Sequence, residues 1–130
     1  MVVAALIRRE GKLLICQRRG SDRHGLKWEF PGGKVEPGET PRRALERELG
    51  EELAIRAKIG PEVVRYEYQY PKRVAILLIF HLVTEFESEP ANAIFEQIRW
   101  ETVSALPSYD FLDGDLDFVR RLASGEIRLP

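Results

Sequence analysis

Gly33-Lys34-Val35-Glu36-Pro37-Gly38-Glu39-Thr40-Pro41-Arg42-Arg43-Ala44-Leu45-Glu46-Arg47-Glu48-Leu49-Gly50-Glu51-Glu52-Leu53-Ala54-Ile55 is the stretch on which the fold of this chain turns. Thr40 can cap a helix and Pro41 suits the first helical position, so the spacing predicts a helix from Thr40 to about Ala54. Leu45, Leu49 and Leu53 recur every four residues with Ala44 beside them, the stripe that packs on a sheet. The other faces are charged. Ahead of the helix, Trp28-Glu29-Phe30 reads as a short extended piece. Pro31-Gly32-Gly33 then predicts a tight turn whose backbone something approaches closely. Gly50 inside the helix costs about 1 kcal/mol relative to alanine, and nothing in the sequence explains it.

Outward from this segment the chain reads as strands. Val2 to Ile7 and Lys12 to Gln17 are β-prone runs separated by Glu10-Gly11, which predicts an antiparallel hairpin. Arg18 to Lys27 is polar and basic, an exposed loop in which phosphate contacts can sit. Val64, Tyr66, Tyr68 and Tyr70 alternate with Arg65, Glu67 and Gln69, the period of a half-buried strand that Pro71-Lys72 closes. Val74 to Phe80 is nearly continuous apolar sequence and predicts a central strand covered on both faces. His81 on that strand reads as a hydrogen-bonded structural histidine and not a ligand. Ile98 to Thr102 reads as a last strand, and Leu112, Leu116, Val119 and Ala123 suit one face of a C-terminal helix ended by Gly125. These elements predict an α/β fold in which helices flank a mixed β-sheet. With no repeat or linker visible, residues 1–130 read as one domain.

At 130 residues, with 44% hydrophobic and 32% charged residues, the chain has the composition of a globular protein able to fold alone. Twenty basic residues against 21 acidic ones leave a formal charge of −1. No global field therefore draws it to a nucleic acid polymer or an anionic membrane, and any attraction for phosphate must be local. Met1 to Ile7 is too short for a signal-peptide core or a membrane span. Cys16, the single cysteine, cannot form an intrachain disulfide and reads as a buried thiol. These features predict a cytoplasmic protein.

Chemistry concentrates on the helix. At the α-helical repeat, Glu48, Glu51 and Glu52 fall within an arc of about 100°, where their charges repel one another. Two readings fit: a solvated face with ion pairs between Arg47 and Glu51 and between Arg42 and Glu46, or a site for divalent cations, which prefer hard oxygen ligands. The glycine-rich segment in front of the helix favours the second, because it can present backbone groups to a ligand.

Gly33, Glu39 after five intervening residues, and Arg47-Glu48-Leu49-Gly50-Glu51-Glu52-Leu53-Ala54-Ile55 after seven more resemble the signature of the Nudix hydrolase family. One position departs: the family usually has glycine where this chain has Ala54. The resemblance implies an α/β/α Nudix sandwich. It also implies that Glu48 and Glu52 are the principal metal ligands, with Glu51 close by and the Gly32 carbonyl contributing, and that Arg47 pairs with Glu39. The implied cofactor is Mg²⁺, with Mn²⁺ as an alternative.

Softer similarity to the MutT-like branch runs through Gln17-Arg18-Arg19, Trp28 to Lys34, Tyr70 to Arg73, Arg99-Trp100 and Asp110 to Val119. It implies hydrolysis of a nucleoside triphosphate to a monophosphate and pyrophosphate, with Glu48 or Glu39 as the general base. It further implies nucleotide contacts from Arg19, His24, Phe30 and Arg73, base reading by Asp115, and a further metal-binding glutamate at Glu96. Asp113-Gly114 departs from the small, proline-rich turn usual in that branch. The implied substrate is 8-oxo-dGTP or a related purine triphosphate, with CTP or a modified dCTP as the alternative and a ligand-binding module without catalysis as a third reading. The only expected partner is the small-molecule nucleotide, bound by a monomer or homodimer.

Overall fold

The computed structural model describes residues 1–130. Val2–Arg9 (β1) and Lys12–Gln17 (β2) form the expected antiparallel hairpin. Its turn residues Glu10 and Gly11 have φ of 52° and 76°, as a two-residue turn between right-twisted strands requires. Trp28–Glu29 (β3) pairs with β2, and Gly32–Lys34 (β4) pairs with the beginning of β1. After the helix Pro41–Leu53 (α1) come Arg56–Lys58 (β5), Glu62–Tyr68 (β6), Ile76–Val83 (β7), Glu85–Glu87 (β8) and Gln97–Thr102 (β9). Two 3₁₀ segments, Val103–Ser108 and Asp113–Asp115, lead into the helix Leu116–Ser124 (α2).

The main sheet runs β3-β2-β1-β7-β6, with β4 also on β1 and β9 also on β2, while β5 and β8 form a separate pair. Only β1 and β7 lie parallel, so the sheet is mixed. Alternation along β1 sends Val3, Ala5 and Ile7 to one face, where they meet Ala44, Leu45, Leu49 and Leu53 of α1. It sends Ala4 and Leu6 to the other, where Phe80, Phe118 and Leu122 close a second core under α2. Covering on both faces explains why β1 is apolar at every position from Val2 to Ile7. The architecture is the expected α/β/α sandwich. No helix is long and apolar enough to cross a membrane.

Helix α1 is capped as its sequence predicts. Thr40 accepts from the Arg43 N–H at 3.2 Å, and Pro41 opens the helix. Ala54 closes it in the left-handed region, with φ 56° and ψ 33°. Gly50 remains unexplained, since a methyl group there would meet only the Ile55 carbonyl oxygen at 3.8 Å. Cys16 and His81 are buried. The His81 ring shares a hydrogen bond of 2.9 Å with the Gly60 carbonyl oxygen.

Four local expectations are corrected. The central strand starts at Ile76 and extends to Val83, because the turn after Tyr70 continues through Arg73 and leaves Val74 86% exposed. Gly32 and Gly33 lie in a short strand and not in a tight turn, although close approach to their backbone does occur. On α2 the buried stripe is Phe118, Val119 and Leu122, with Leu116 exposed, because the helix begins only at Leu116 and Leu112 precedes it. Arg42 reaches the Ile59 carbonyl and not Glu46, so the tertiary acceptor wins over the neighbour on the helix surface.

Candidate active site

Strand β4 is threaded between β1 and α1, and its two glycines allow this. A Cβ at Gly32 would stand 2.0 Å from the Val3 carbonyl oxygen, and one at Gly33 would stand 2.5 Å from the Glu48 carboxyl carbon. Contacts that short exclude any side chain without rearrangement. The Glu48 carboxylate therefore rests directly on the Gly33 backbone. Beside it, Glu52 is buried and accepts from the Gly32 N–H at 3.2 Å.

Glu48 and Glu52, one helical turn apart, touch through their carboxyl groups. Burial holds the Glu52 carboxyl well above its ordinary range, and the adjoining Glu48 and the nearby charge of Glu29 reinforce this. Arg47 stands on the outer side of the pair. It makes a two-point contact with Glu39, Nε to Oε2 at 2.8 Å and Nη2 to Oε1 at 2.9 Å, and also donates to Glu48 at 3.1 Å and to the Lys34 carbonyl at 3.2 Å. This contact and the Glu36 N–H hold the Glu39 carboxyl down at about 2. Glu51 is exposed and 3.4 Å from Arg47, and Glu96 is exposed on another segment. No three acidic or histidine side chains converge at metal-ligand spacing.

Glu52 opens onto a cavity of about 560 Å³ whose lining also includes Gly32, His24, Phe30, Arg73 and Asp115. Six of the residues singled out in the sequence thus meet around one space, although they come from five separate segments of the chain. Phe30 is also a core residue, within 5.3 Å of the Phe111 ring centroid. Asp115 is 7% exposed, and burial, with a contribution from the Glu29 charge, pushes its carboxyl up to about 8.

Arg19 is exposed and does not line the cavity; its neighbour Arg18 does. Alternation from β2 carries Arg18 inward, where Nη1 donates to Glu29 at 2.9 Å and Nε to the Arg23 carbonyl at 2.8 Å. Burial pushes the Glu29 carboxyl up, and Arg18 pulls it back. Arg18 and Glu29 lie in stretches that carry the resemblance but were not among the site residues expected from the sequence. The period-2 alternation continued from β2 is the signal that would have favoured Arg18 over Arg19.

A fold with helices on both faces of a mixed sheet, and a helix-borne glutamate pair against a diglycine strand, define the class. A NUDIX domain model matches residues 1–122, and the chain belongs to that family. An 8-oxo-dGTP diphosphatase of Haemophilus influenzae is 36% identical over 122 residues, 93% of this chain and 89% of that protein. A CTP pyrophosphohydrolase of Escherichia coli is 50% identical over 82 residues, 62% of this chain and 60% of that protein. The solution structure of the E. coli ORF135 protein superposes with a TM-score of 0.84 at 34% identity, covering 96% of this chain and 89% of that one.

Proposed function

We propose that this chain is a Mg²⁺-dependent nucleoside triphosphate pyrophosphohydrolase that converts 8-oxo-dGTP or a related purine triphosphate, with water, to the monophosphate and pyrophosphate. The observation that carries the reading is a single cavity bounded both by Glu52, in contact with Glu48, and by the buried carboxyl of Asp115. Phosphates and base then have separate partners within one space.

Glu48 and Glu52 fit a divalent cation. Two carboxyl groups pressed together, one of them buried, form a hard-oxygen set that a cation stabilises. Glu48 and Glu52, with the Gly32 carbonyl, would hold Mg²⁺ or Mn²⁺, which would supply neutralisation of phosphate charge and acidification of water. Glu51, now beside Arg47, and Glu96 would be the further carboxylates available to such a cation. Arg18 and Arg73 supply guanidinium donors suited to phosphate oxygens. His24 and Phe30 offer rings against a base, and Arg19 contributes from the rim.

Of the two candidate bases, Glu48 is the better placed. Glu39 has both oxygens engaged by Arg47, and a carboxyl held at about 2 is a poor proton acceptor. Arg47 and Glu39 instead act as a brace that keeps Glu48 against Gly33. Glu48→Gln should therefore lose far more activity than Glu39→Gln.

The name of the Haemophilus influenzae relative supports an oxidised purine substrate. A second reading, CTP or a modified dCTP, draws support from the 50% identical stretch shared with the CTP pyrophosphohydrolase. A carboxylate at Asp115 can also accept from the amino group of cytosine. Pyrophosphate release with Mg²⁺ from dGTP, 8-oxo-dGTP, CTP, dCTP and 5-methyl-dCTP tests both. Preference for 8-oxo-dGTP supports the first reading and preference for cytidine nucleotides the second. Release of orthophosphate in place of pyrophosphate would sink both.

A further inference from the structure

Two tyrosine hydroxyls hold the residue before Asp115 by both of its backbone polar atoms. Tyr66 Oη donates to the Gly114 carbonyl at 2.7 Å, and the Gly114 N–H donates to Tyr70 Oη at 3.0 Å. The fit around Gly114 is close: a Cβ would stand 3.0 Å from Tyr70 Oη and 3.3 Å from Tyr68 Cδ1. Tyr70 also sets its ring 5.3 Å from that of His24, bracing a second wall of the cavity.

The Asp115 carboxyl lines the cavity, and no hydrogen bond from the protein contributes to its raised pKa. A side chain without bonded partners takes its position from its backbone, which is held by the Asp115 N–H donating to the Leu112 carbonyl and by the two tyrosines on the adjoining Gly114. Both tyrosine hydroxyls are protonated at neutral pH, and burial pushes their pKa values higher still, so Tyr66 keeps its donor. We infer that Tyr66 and Tyr70 are positioning residues for base selection, acting through Gly114 to fix the Asp115 carboxyl in the cavity. The inference rests on Asp115 contacting the base, as in the proposed function.

Nucleoside monophosphates test this without turnover, because they are products of the proposed reaction. Titration calorimetry with dGMP, 8-oxo-dGMP and dCMP should give a ranked preference for the wild-type chain. Tyr66→Phe and Tyr70→Phe keep the rings and should each weaken the preferred monophosphate about tenfold while changing the poorest one less than about twofold. In an Asp115→Asn background the same changes should add less than about twofold, because coupled residues are not additive. The two tyrosine variants are independent, so a folding defect in one leaves the other to decide. An undiminished preference, an equal loss for all three monophosphates, a tenfold loss that persists without Asp115, or a wild-type chain with no base preference overturns the inference. A wild type that ranks the monophosphates but releases no pyrophosphate from any triphosphate overturns the proposed function alone.

Discussion

Arg47 and Glu39 meet as a planar two-point ion pair, Nε to Oε2 at 2.8 Å and Nη2 to Oε1 at 2.9 Å, which ties the loop ahead of α1 to the helix that carries Glu48 and Glu52. Lysine keeps the charge but not the fork. Arg47→Lys should therefore lower the rate of pyrophosphate release at least about tenfold, some 1.4 kcal/mol. The pair also carries a pH signature. Glu39 sits at about 2 when folded, below an unfolded value of about 4.3. Its stabilisation is full above that unfolded value and is lost as pH falls toward about 2. Thermal melts of the wild type and Glu39→Gln should converge as pH drops from about 6 to about 2.5; a constant difference would contradict the assignment.

Ala54 occupies the left-handed region at the end of α1, where an L side chain costs about 1–2 kcal/mol. Glycine removes that strain but gives back roughly 0.4–1 kcal/mol through the greater freedom of the unfolded chain. Ala54→Gly should thus stabilise by about 0.5–1 kcal/mol and raise Tm by about 2–4 °C. Calorimetry checks this, and a lower Tm would show that the methyl group makes a contact worth more than the strain.

Helix α1, its cap and its buried stripe were legible because they depend on residues within a few positions of one another. The contact of Arg47 with Glu39 was expected only from the family resemblance, since helix spacing alone pairs Arg47 with Glu51. Sequence reading faltered where position depends on distant partners. Val74 looks like strand and is exposed, because the turn from Tyr70 to Arg73 delays pairing until Tyr68 meets Ile76. Arg18 and Arg19 are chemically identical, and only the register of β2 decides which of them faces the cavity. The hold of Tyr66 and Tyr70 on Gly114 spans 48 and 44 positions, and no local pattern announces it.

Asp115 should cost the protein stability in return for its place in the cavity. Its folded carboxyl, pushed up to about 8, keeps a proton that the unfolded chain releases near about 3.9. Stability is therefore undiminished at low pH and falls as pH rises from about 4 to about 8. Asp115→Asn should remove that slope. The expected gain is negligible near pH ~4 and grows steadily toward pH ~8. Urea melts across that range give the answer, and wild-type and variant curves running parallel would rule the shift out.

Glu52 is pressed against Glu48, so a cation binding the pair should stabilise the folded state. By mass action, Mg²⁺ at about 100 times its Kd adds about 2.7 kcal/mol, and a chelator should reverse the resulting rise in Tm. Glu52→Gln relieves the repulsion. It should melt at or above the wild-type temperature without metal, lose the response to Mg²⁺, and release pyrophosphate at least about 100-fold more slowly. An undiminished Mg²⁺ response in this variant would place the cation elsewhere.

Gly32 and Gly33 allow structure and chemistry to be separated by one methyl group each. At Gly32 the added Cβ meets backbone, 2.0 Å from the Val3 carbonyl oxygen and 2.7 Å from the Ala4 Cα. Strands β1 and β4 would have to part, so Gly32→Ala should cost about 2–4 kcal/mol and lower Tm sharply. At Gly33 the Cβ meets only the far end of the Glu48 side chain, with the carboxylate oxygens 2.5 and 2.7 Å away. That end can swing aside, so Gly33→Ala should lose less than about 1 kcal/mol of stability. The swing nonetheless takes the carboxylate from its place beside Glu52, and turnover should fall about 100-fold. Melting temperature and pyrophosphate release measured on both variants test the contrast. If Gly33→Ala kept wild-type turnover, the resting position of Glu48 against the Gly33 backbone would not be the one that matters in the reaction.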